Sequence, residues 1–536
     1  MNNSRQHRSW IHGVCRRTAC AALALAIMLV PALLATASAQ AQIYSYNVLH
    51  KFTGVPDGTN PFGGLVLDAQ GNLYGTTWFG GDPACSCGVV FKVDTSGKET
   101  ILYSFTGIRA DGRPWGNLAM DAQGNLYGAT YSSWTIFEVD TNGNETVLYT
   151  FTGGADGGRP TGGLVLDDQG NLYGTTWYGG NLNCQEGGQG IPGCGTVFAL
   201  DPAGNLTVLY TFCSQENCAD GALPNGGLVS DAQGNLYGTT QVGGAYRGGF
   251  RTPCDLGCGT VFKVDPSGHE TVLHSFNFNP SKGILDGAYP SGGLVMDGQG
   301  NLYGTTRGGG AGPKGKRAGT IFKVDASGNE SLLYSFGGSK PAPSSPVGAL
   351  IIDAAGNFYG TTDLGGADDL GTVFMLDTSL NLAVLYSFAS KNGFDPYSGL
   401  VMDASGNLYG TTFAGGIQSD SYCDVSCGVV FDLLTASAAT TTTLTSSPNP
   451  STHGQPVTFT AVVQSAAGTP ADGETVSFMK RKAVIGTGTL SGGSASFTTS
   501  KLGVGTVPIM ALYPGDPTHS PSTSNVVEQV VEKAAK

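Results

Sequence analysis

Charge is scarce in this chain, and what there is leans to one sign. Only 12% of its 536 residues are Asp, Glu, Lys or Arg, and acids outnumber bases 40 to 27, for a formal net charge of −13. So acidic a balance argues against nucleic acid as a partner, because phosphate binding needs clustered Lys and Arg. Long apolar runs are also missing. Beyond the first 39 residues no stretch of about 18 apolar residues exists, so no later segment is expected to span a membrane as a helix. Histidine past that point is limited to His50, His269, His274, His453 and His519. Three of these fall in strand-like segments or the turn before them, two lie near the C-terminus, and none is in a long loop. A Ser-His-Asp site or a His-based metal site is therefore hard to assemble on a loop face.

The first 39 residues have their own character. Arg5, Arg8, Arg16 and Arg17 stand there without an acid, an apolar run covers Ala21 to Leu34, and Ala37-Ser38-Ala39 precedes Gln40. This order is that of a cleaved signal peptide, so a secreted or cell-surface protein is expected. The residues around Arg16-Arg17 fit a twin-arginine route poorly, which favours ordinary secretion. Cleavage removes four positive charges and lowers the net charge to −17. No cysteine follows the apolar run in a lipid-attachment context, and Val531 to Lys536 is not a hydrophobic sorting tail, so any surface attachment is expected to be non-covalent or indirect. Ten cysteines follow the signal in close pairs: Cys85 and Cys87, Cys184 and Cys194, Cys213 and Cys218, Cys254 and Cys258, Cys423 and Cys427. An even count in an exported chain reads as disulfides. Zinc is the rival, opposed by irregular spacing and the lack of histidine near most pairs. A ring closed by Cys85-Ser86-Cys87 is tight, which leaves bonding across to Cys423 and Cys427 as the alternative.

The 84 glycines suit many short strands joined by tight turns. The phrase D-x-x-G-N-[LF]-Y-G begins at Asp68, Asp121, Asp167, Asp231, Asp297, Asp353 and Asp403, at intervals of 46 to 66 residues. A short apolar run such as Gly64 to Leu67 precedes each copy. A variable glycine-rich stretch, a segment such as Thr260 to Asp265, a polar turn and a fourth apolar segment such as Glu270 to Phe276 follow it. Four strand-length segments per unit make one antiparallel meander, and seven meanders predict a seven-bladed β-propeller over residues 43–433. The last unit stops after Gly428 to Asp432, while Tyr46 to Gly54 matches the fourth segment of other units. The expected ring is therefore closed by the N-terminal strand, which also removes an exposed sheet edge. With that strand outermost, Gly64 to Leu67 is the inner strand, and the loops after strands two and four share one face.

These units, with G-T-V-F-K-V-D-like and L-Y-S-F-like segments in fixed order, resemble the GloVer tandem repeat of exported bacterial proteins. The resemblance implies an exported location and little chemistry, since that family has no established activity; many of its members end in a sorting signal, which this chain lacks. More loosely, D-x-x-G-N-L is similar to the turn of sensor and lyase propellers. After a linker at 434–440, residues 441–533 are rich in Ser, Thr and Val. Alternating segments at Pro456 to Val463, Glu474 to Met479, Ser494 to Thr499 and Gly505 to Tyr513 predict an immunoglobulin-like β-sandwich. Ala511 to Asp516 with Ser522 to Val527 resembles the end of a bacterial Ig-like repeat domain, which implies a spacer or adhesive module.

The repeated Asp and Asn invite a calcium reading, but an Asp that caps its own turn explains them better. A second acidic set, Asp57, Asp111, Asp156, Asp220 and Asp286, is expected to surround the mouth of the channel, again as turn residues, with a Ca ion there as the minority reading. Aromatics give the strongest lead. Trp78, Trp115, Trp134 and Trp177, with Phe79, Tyr131 and Tyr178, fall in or beside long loops of the first three units. Flat rings there form either a platform for a sugar or peptide, or wedges between blades. The expected function is an exported or cell-surface recognition or scaffold protein, binding an extracellular glycan or protein. Two alternatives stay open: an extracellular polysaccharide lyase or lactonase-like enzyme using Asp residues near the channel, and a purely structural envelope protein.

Overall fold

A computed structural model describes residues 44–534, apart from 107–111, 185–190, 247–253, 280–283, 312–317, 338–339, 417–426, 436–438, 466–468, 471 and 517–518. The expected signal peptide, Asp111 and Cys423 lie outside the described residues. Among those described, the fold is all-β, with one 3-10 turn at Glu216–Cys218 and no α-helix. Among the described residues no helix is long and apolar enough to cross a membrane.

Seven antiparallel sheets are built on one plan. The fourth is representative: Ala222–Pro224 and Val229–Ser230 both pair with Leu236–Val242, which pairs with Thr260–Val264, which pairs with Glu270–Ser275. The segment equivalent to Gly64 to Leu67 thus pairs as expected, through Val229–Ser230, and an additional short strand, Ala222–Pro224, precedes it on the same partner. Between the two the chain closes on its neighbour: a Cβ on Gly226 would stand 2.6 Å from the carbonyl oxygen of Gly292 in the next unit. In the second sheet the two pieces run together as one strand, Pro114–Met120, with a register irregularity between Trp115 and Ala119. The seventh sheet has Val401–Met402, Leu408–Thr412 and Val429–Thr435, and its outer strand is Tyr44–Lys51, antiparallel to Val429–Thr435 with Tyr44 opposite Thr435.

The repeated residues each have a packing task. In the third strand Thr260–Val264 only Lys263 escapes full burial, so this strand is apolar on both faces. Its Phe262 lies against Gly238 of the Leu-Tyr-Gly motif, where a Cβ would stand 2.6 Å from the ring tip. The phenylalanine that follows each outer strand then meets the third-strand phenylalanine of the next sheet edge-on. The pairs Phe52 with Phe91, Phe105 with Phe137, Phe151 with Phe198, Phe212 with Phe262, Phe276 with Phe322, Phe336 with Phe374 and Phe388 with Phe431 have centroids 4.9 to 5.4 Å apart. Such geometry sets the positive edge of one ring on the negative face of the other.

The Asp-led turns explain their own recurrence. Asp231 Oδ1 accepts the backbone N–H groups of Gln233 and Asn235, both at 2.9 Å. Its Oδ2 accepts Asn235 Nδ2 at 2.7 Å and the Tyr237 hydroxyl at 2.9 Å. Burial opposes ionisation of Asp231, yet these donors together hold its carboxyl below the usual range. A second set of such turns, at Asp94, Asp140, Asp201, Asp265, Asp325 and Asp377, joins the third and outer strands; Asp265 Oδ1 accepts Ser267 N at 2.9 Å and His269 N at 3.0 Å.

Disulfides join Cys85 to Cys87, Cys184 to Cys194, Cys213 to Cys218 and Cys254 to Cys258. Of the alternatives open for Cys85 and Cys87, the structure holds the short one, and neither reaches Cys427.

The C-terminal region is a two-sheet Ig-like domain. Thr440–Ser447, Val457–Ser465 and Ser494–Thr499 form one sheet; the other contains Thr475–Lys480, Ala483–Thr489, Gly505–Tyr513 and Val527–Glu532. Alternation places Leu444, Phe459, Ala461, Phe478, Ile509, Ala511 and Tyr513 in a shared core.

Candidate functional site

Each loop from an outer strand into the next unit carries the same step: a residue in the left-handed region, a proline, and a residue that lines a common pocket. The first positions are Asn60, Arg113, Arg159, Leu223, Tyr289, Ser345 and Asp395, with φ between 54° and 65°. A non-glycine residue held there costs about 1 to 3 kcal/mol and persists only where the surroundings fix it. Here backbone hydrogen bonds do so, as from Tyr289 N to Cys258 O at 2.9 Å and Asn60 N to Cys427 O at 2.7 Å. The third positions are Phe62, Trp115, Thr161, Asn225, Ser291, Val347 and Tyr397. All seven line one cavity of about 370 Å³, a size that suits a small ligand. A third variable position follows the second-strand threonines: Trp78, Tyr131, Trp177, Gln241, Arg307, Asp363 and Phe413. The frame is constant in all seven units while these three positions change.

Their chemistry divides the face into two arcs. Phe62 stacks on Trp115 at 3.9 Å and on Tyr397 at 5.4 Å. Trp78 meets Trp115 at 4.5 Å and Tyr131 at 5.1 Å, and Phe62 meets Phe413 at 6.1 Å. The Arg159 guanidinium lies 3.8 Å from the Tyr131 ring centre and 4.7 Å from that of Trp177, and its Nη1 donates to the Tyr178 hydroxyl at 3.1 Å. Units seven, one, two and three thus share one aromatic surface, its rings half-buried. The Nε1 donors of Trp78 and Trp177 are buried without a hydrogen-bond partner.

The other arc is polar. Arg307 Nη2 donates to Asp363 Oδ2 at 2.8 Å, and its Nε donates to Ser345 Oγ at 3.2 Å. Burial pushes the Asp363 carboxyl up, against Ser345 and Arg307, which lower it. Burial and then the charge of Asp363 push Asp395 up to about 6. Gln241 and Arg307 line the same cavity as Phe62 and Trp115.

Not every aromatic expected at the site is there. Trp134, with φ of 59°, occupies the place of the glycine that precedes the third strand in the other units, such as Gly259 with φ of 97°. Its carbonyl accepts Phe151 N at 2.9 Å, as Gly259 O accepts Phe276 N, and its ring covers Gly153 and Gly158. It is a wedge. Tyr178 is 1% exposed beneath Arg159, and Phe79 lies under the Arg113 guanidinium at 5.0 Å. Trp78, Trp115, Tyr131 and Trp177 are brought together. Phe62, Tyr397, Phe413, Arg159, Arg307, Asp363 and Asp395 were not anticipated.

The four described members of the second acidic set do not surround the cavity. Asp57 accepts from Thr53 N at 2.8 Å, Asp156 from Thr152 N at 2.8 Å, Asp220 from Ser214 N at 2.8 Å and Asp286 from Asn277 N at 2.9 Å. Each caps the loop leaving an outer strand, and none lines the cavity. Carboxyls from the next sheet lie beside three of them: burial, then the charge of the aspartate, pushes Glu99 beside Asp57 and Glu270 beside Asp220 up to about 7, and raises Glu330 beside Asp286.

Repeated four-stranded sheets, a pocket made from their variable positions and a C-terminal sandwich define an all-β tandem-repeat protein with an Ig-like domain. The Gloeobacter/Verrucomicrobia repeat matches residues 37–250, 183–345 and 250–473, and the chain belongs to that family. The bacterial Ig-like domain (group 3) matches residues 444–532. No curated protein matches the chain. Among solved structures, virginiamycin B lyase from Staphylococcus aureus is similar at 12% identity and TM-score 0.46, over 73% of this chain and 99% of that one. PorZ, a surface component of the type-IX secretion system of Porphyromonas gingivalis, is similar at 14% identity and TM-score 0.40, over 90% and 60%. A gluconolactonase from Xanthomonas campestris is similar at 13% identity and TM-score 0.34, over 72% and 98%.

Proposed function

We propose that the chain is an exported, cell-surface recognition protein: a seven-bladed propeller, closed by its N-terminal strand, that binds an extracellular carbohydrate on the face bearing the cavity. Support for closure comes from the pairing of Tyr44–Lys51 with Val429–Thr435 and from the cycle of seven phenylalanine pairs. The observation that carries the binding reading is the pairing, in one cavity, of Phe62, Trp115 and Tyr397 with Asn225, Gln241, Ser291 and Arg307. Sugars offer an apolar C–H face to a ring and hydroxyls to amide and guanidinium groups, and this cavity has both kinds of partner. The test is a glycan array with the secreted chain and with Trp115→Ala. Binding to a defined glycan class that Trp115→Ala abolishes supports the reading; an empty array favours the structural envelope role.

The enzyme reading rests on a different observation. Asp363, paired with Arg307, and Asp395, pushed up to about 6, set two carboxyls in different surroundings in one arc. Turnover of polysaccharides or lactones that Asp395→Asn removes, with binding retained, is its test.

A further inference from the structure

At one register position of the outer strand five units carry tyrosine: Tyr103, Tyr149, Tyr210, Tyr334 and Tyr386. The other two carry histidine, His50 opposite Val430 and His274 opposite Val261. Each imidazole meets an aspartate of the following loop and a glutamate of the next sheet. The ligand atoms of His50, Asp57 and Glu99 all lie within 4.8 Å of one another, and so do those of His274, Asp286 and Glu330. His50 Nε2 stands 3.2 Å from Asp57 Oδ1, and His274 Nε2 stands 3.1 Å from Asp286 Oδ2. Tetrahedral zinc, with bonds of about 2.0 to 2.2 Å, spaces its ligands about 3.3 to 3.5 Å apart, so small shifts bring these atoms onto such a site.

The remaining ligand is in place but idle. Glu99 Oε1 and Glu330 Oε1 are buried without a hydrogen-bond partner. The aspartates are already oriented by backbone amides: Thr53 N reaches Asp57 Oδ2 at 2.8 Å, and Asn277 N reaches Asp286 Oδ2 at 2.9 Å. Supporting bonds of that kind fix the direction of a metal-binding carboxylate. The junction of the third and fourth units supplies an internal comparison. Tyr210, Asp220 and Glu270 repeat the arrangement, but the Tyr210 hydroxyl donates to Asp220 at 2.8 Å and no nitrogen is offered.

We propose that the two histidine pockets each bind a divalent transition-metal ion of the zinc class, through His Nε2 and one oxygen from each carboxylate, with water completing the shell. A nitrogen donor with two oxygens favours this class over calcium or magnesium, which take all-oxygen sets. Each ion bridges neighbouring sheets, since His50 and Glu99 belong to the seventh and first, and His274 and Glu330 to the fourth and fifth.

The experiment equilibrates the EDTA-stripped, disulfide-intact chain with zinc, removes free metal and counts bound zinc by mass spectrometry. Two ions per chain are expected, one in His50→Tyr or His274→Tyr, and none in the double variant. Tyrosine is the residue of the other units, so these variants keep the packing. Tyr210→His is expected to add a third ion. A wild-type chain that takes up no zinc, or a double variant that keeps both ions, overturns the proposal.

Discussion

The ring of Phe52 meets that of Phe91 edge-on with centroids 5.1 Å apart, which joins the strand at the start of the described chain to the first sheet after it. Phe52 follows the outer strand of the sheet completed by Val429–Thr435, so this contact belongs to the same series as the six other phenylalanine pairs. Phe52 is fully buried, and Phe52→Ala is expected to cost about 3 to 5 kcal/mol, as large-to-small changes in a packed core do. Deleting residues 44–52 leaves Val429–Thr435 as an open edge, and such edges recruit other chains. Size-exclusion chromatography is expected to show oligomers for the deletion and a thermal melt to show a lowered midpoint for Phe52→Ala.

Gly238→Ala tests the reason for the motif glycine. The added methyl would meet Phe262 at 2.6 Å on one side and Leu228 at 2.8 Å on the other. Overpacking of this kind costs about 1 to 3 kcal/mol. The added Phe262→Leu change, which shortens the opposing side chain, is expected to recover part of the loss in a denaturant titration.

The Asp turns and the N-terminal match were legible because each is a local pattern repeated seven times. The Ig-like strands were legible from their alternation, as Val457–Ser465 and Gly505–Tyr513 agree with the expected segments within two residues. The short strands that precede the inner strands, such as Ala222–Pro224, were not, since Asp220-Gly221 and Pro224 read there as turn residues. The site was half legible. The clustering of all four tryptophans beyond the signal in the first three units pointed to Trp78, Trp115 and Trp177, but it also drew in Trp134, which stands in a glycine's place. Aligning the units by position, rather than searching for aromatic residues, isolates Phe62, Tyr397, Arg307 and Asp395 as members of columns that vary within a constant frame.

Stability should peak in mildly acidic solution. Folded Glu99 and Glu270 hold protons up to about 7, whereas unfolded glutamates release them near 4.5. Between those values the folded state binds more protons, so stability falls as pH rises through the window and levels off above it. The turn aspartates act in the opposite sense. Their folded pKa values lie below the ordinary 3.8, so their contribution is present above that value and lost as pH falls further. Thermal melts at pH 3, 5 and 7.5 are expected to give the highest midpoint at pH 5; a maximum at 7.5 contradicts this assignment.

Non-reducing peptide mapping of the secreted chain is expected to recover Cys85 joined to Cys87, and Cys184 joined to Cys194. A peptide linking Cys85 or Cys87 to Cys423 or Cys427 would contradict the short pairing.

The central claim is that the variable positions of the seven units form one carbohydrate-binding face, with Trp78, Trp115 and Trp177 in it and Trp134 outside it. Fluorotryptophan labelling of the mature chain gives one ¹⁹F resonance for each of these four residues, and titration with the glycan found on the array reports on all of them at once. The account predicts that the Trp115 resonance shifts most, that Trp78 and Trp177 follow, and that Trp134 stays in place. Equal movement of Trp134, or a saturating ligand that leaves Trp115 unmoved, would contradict it.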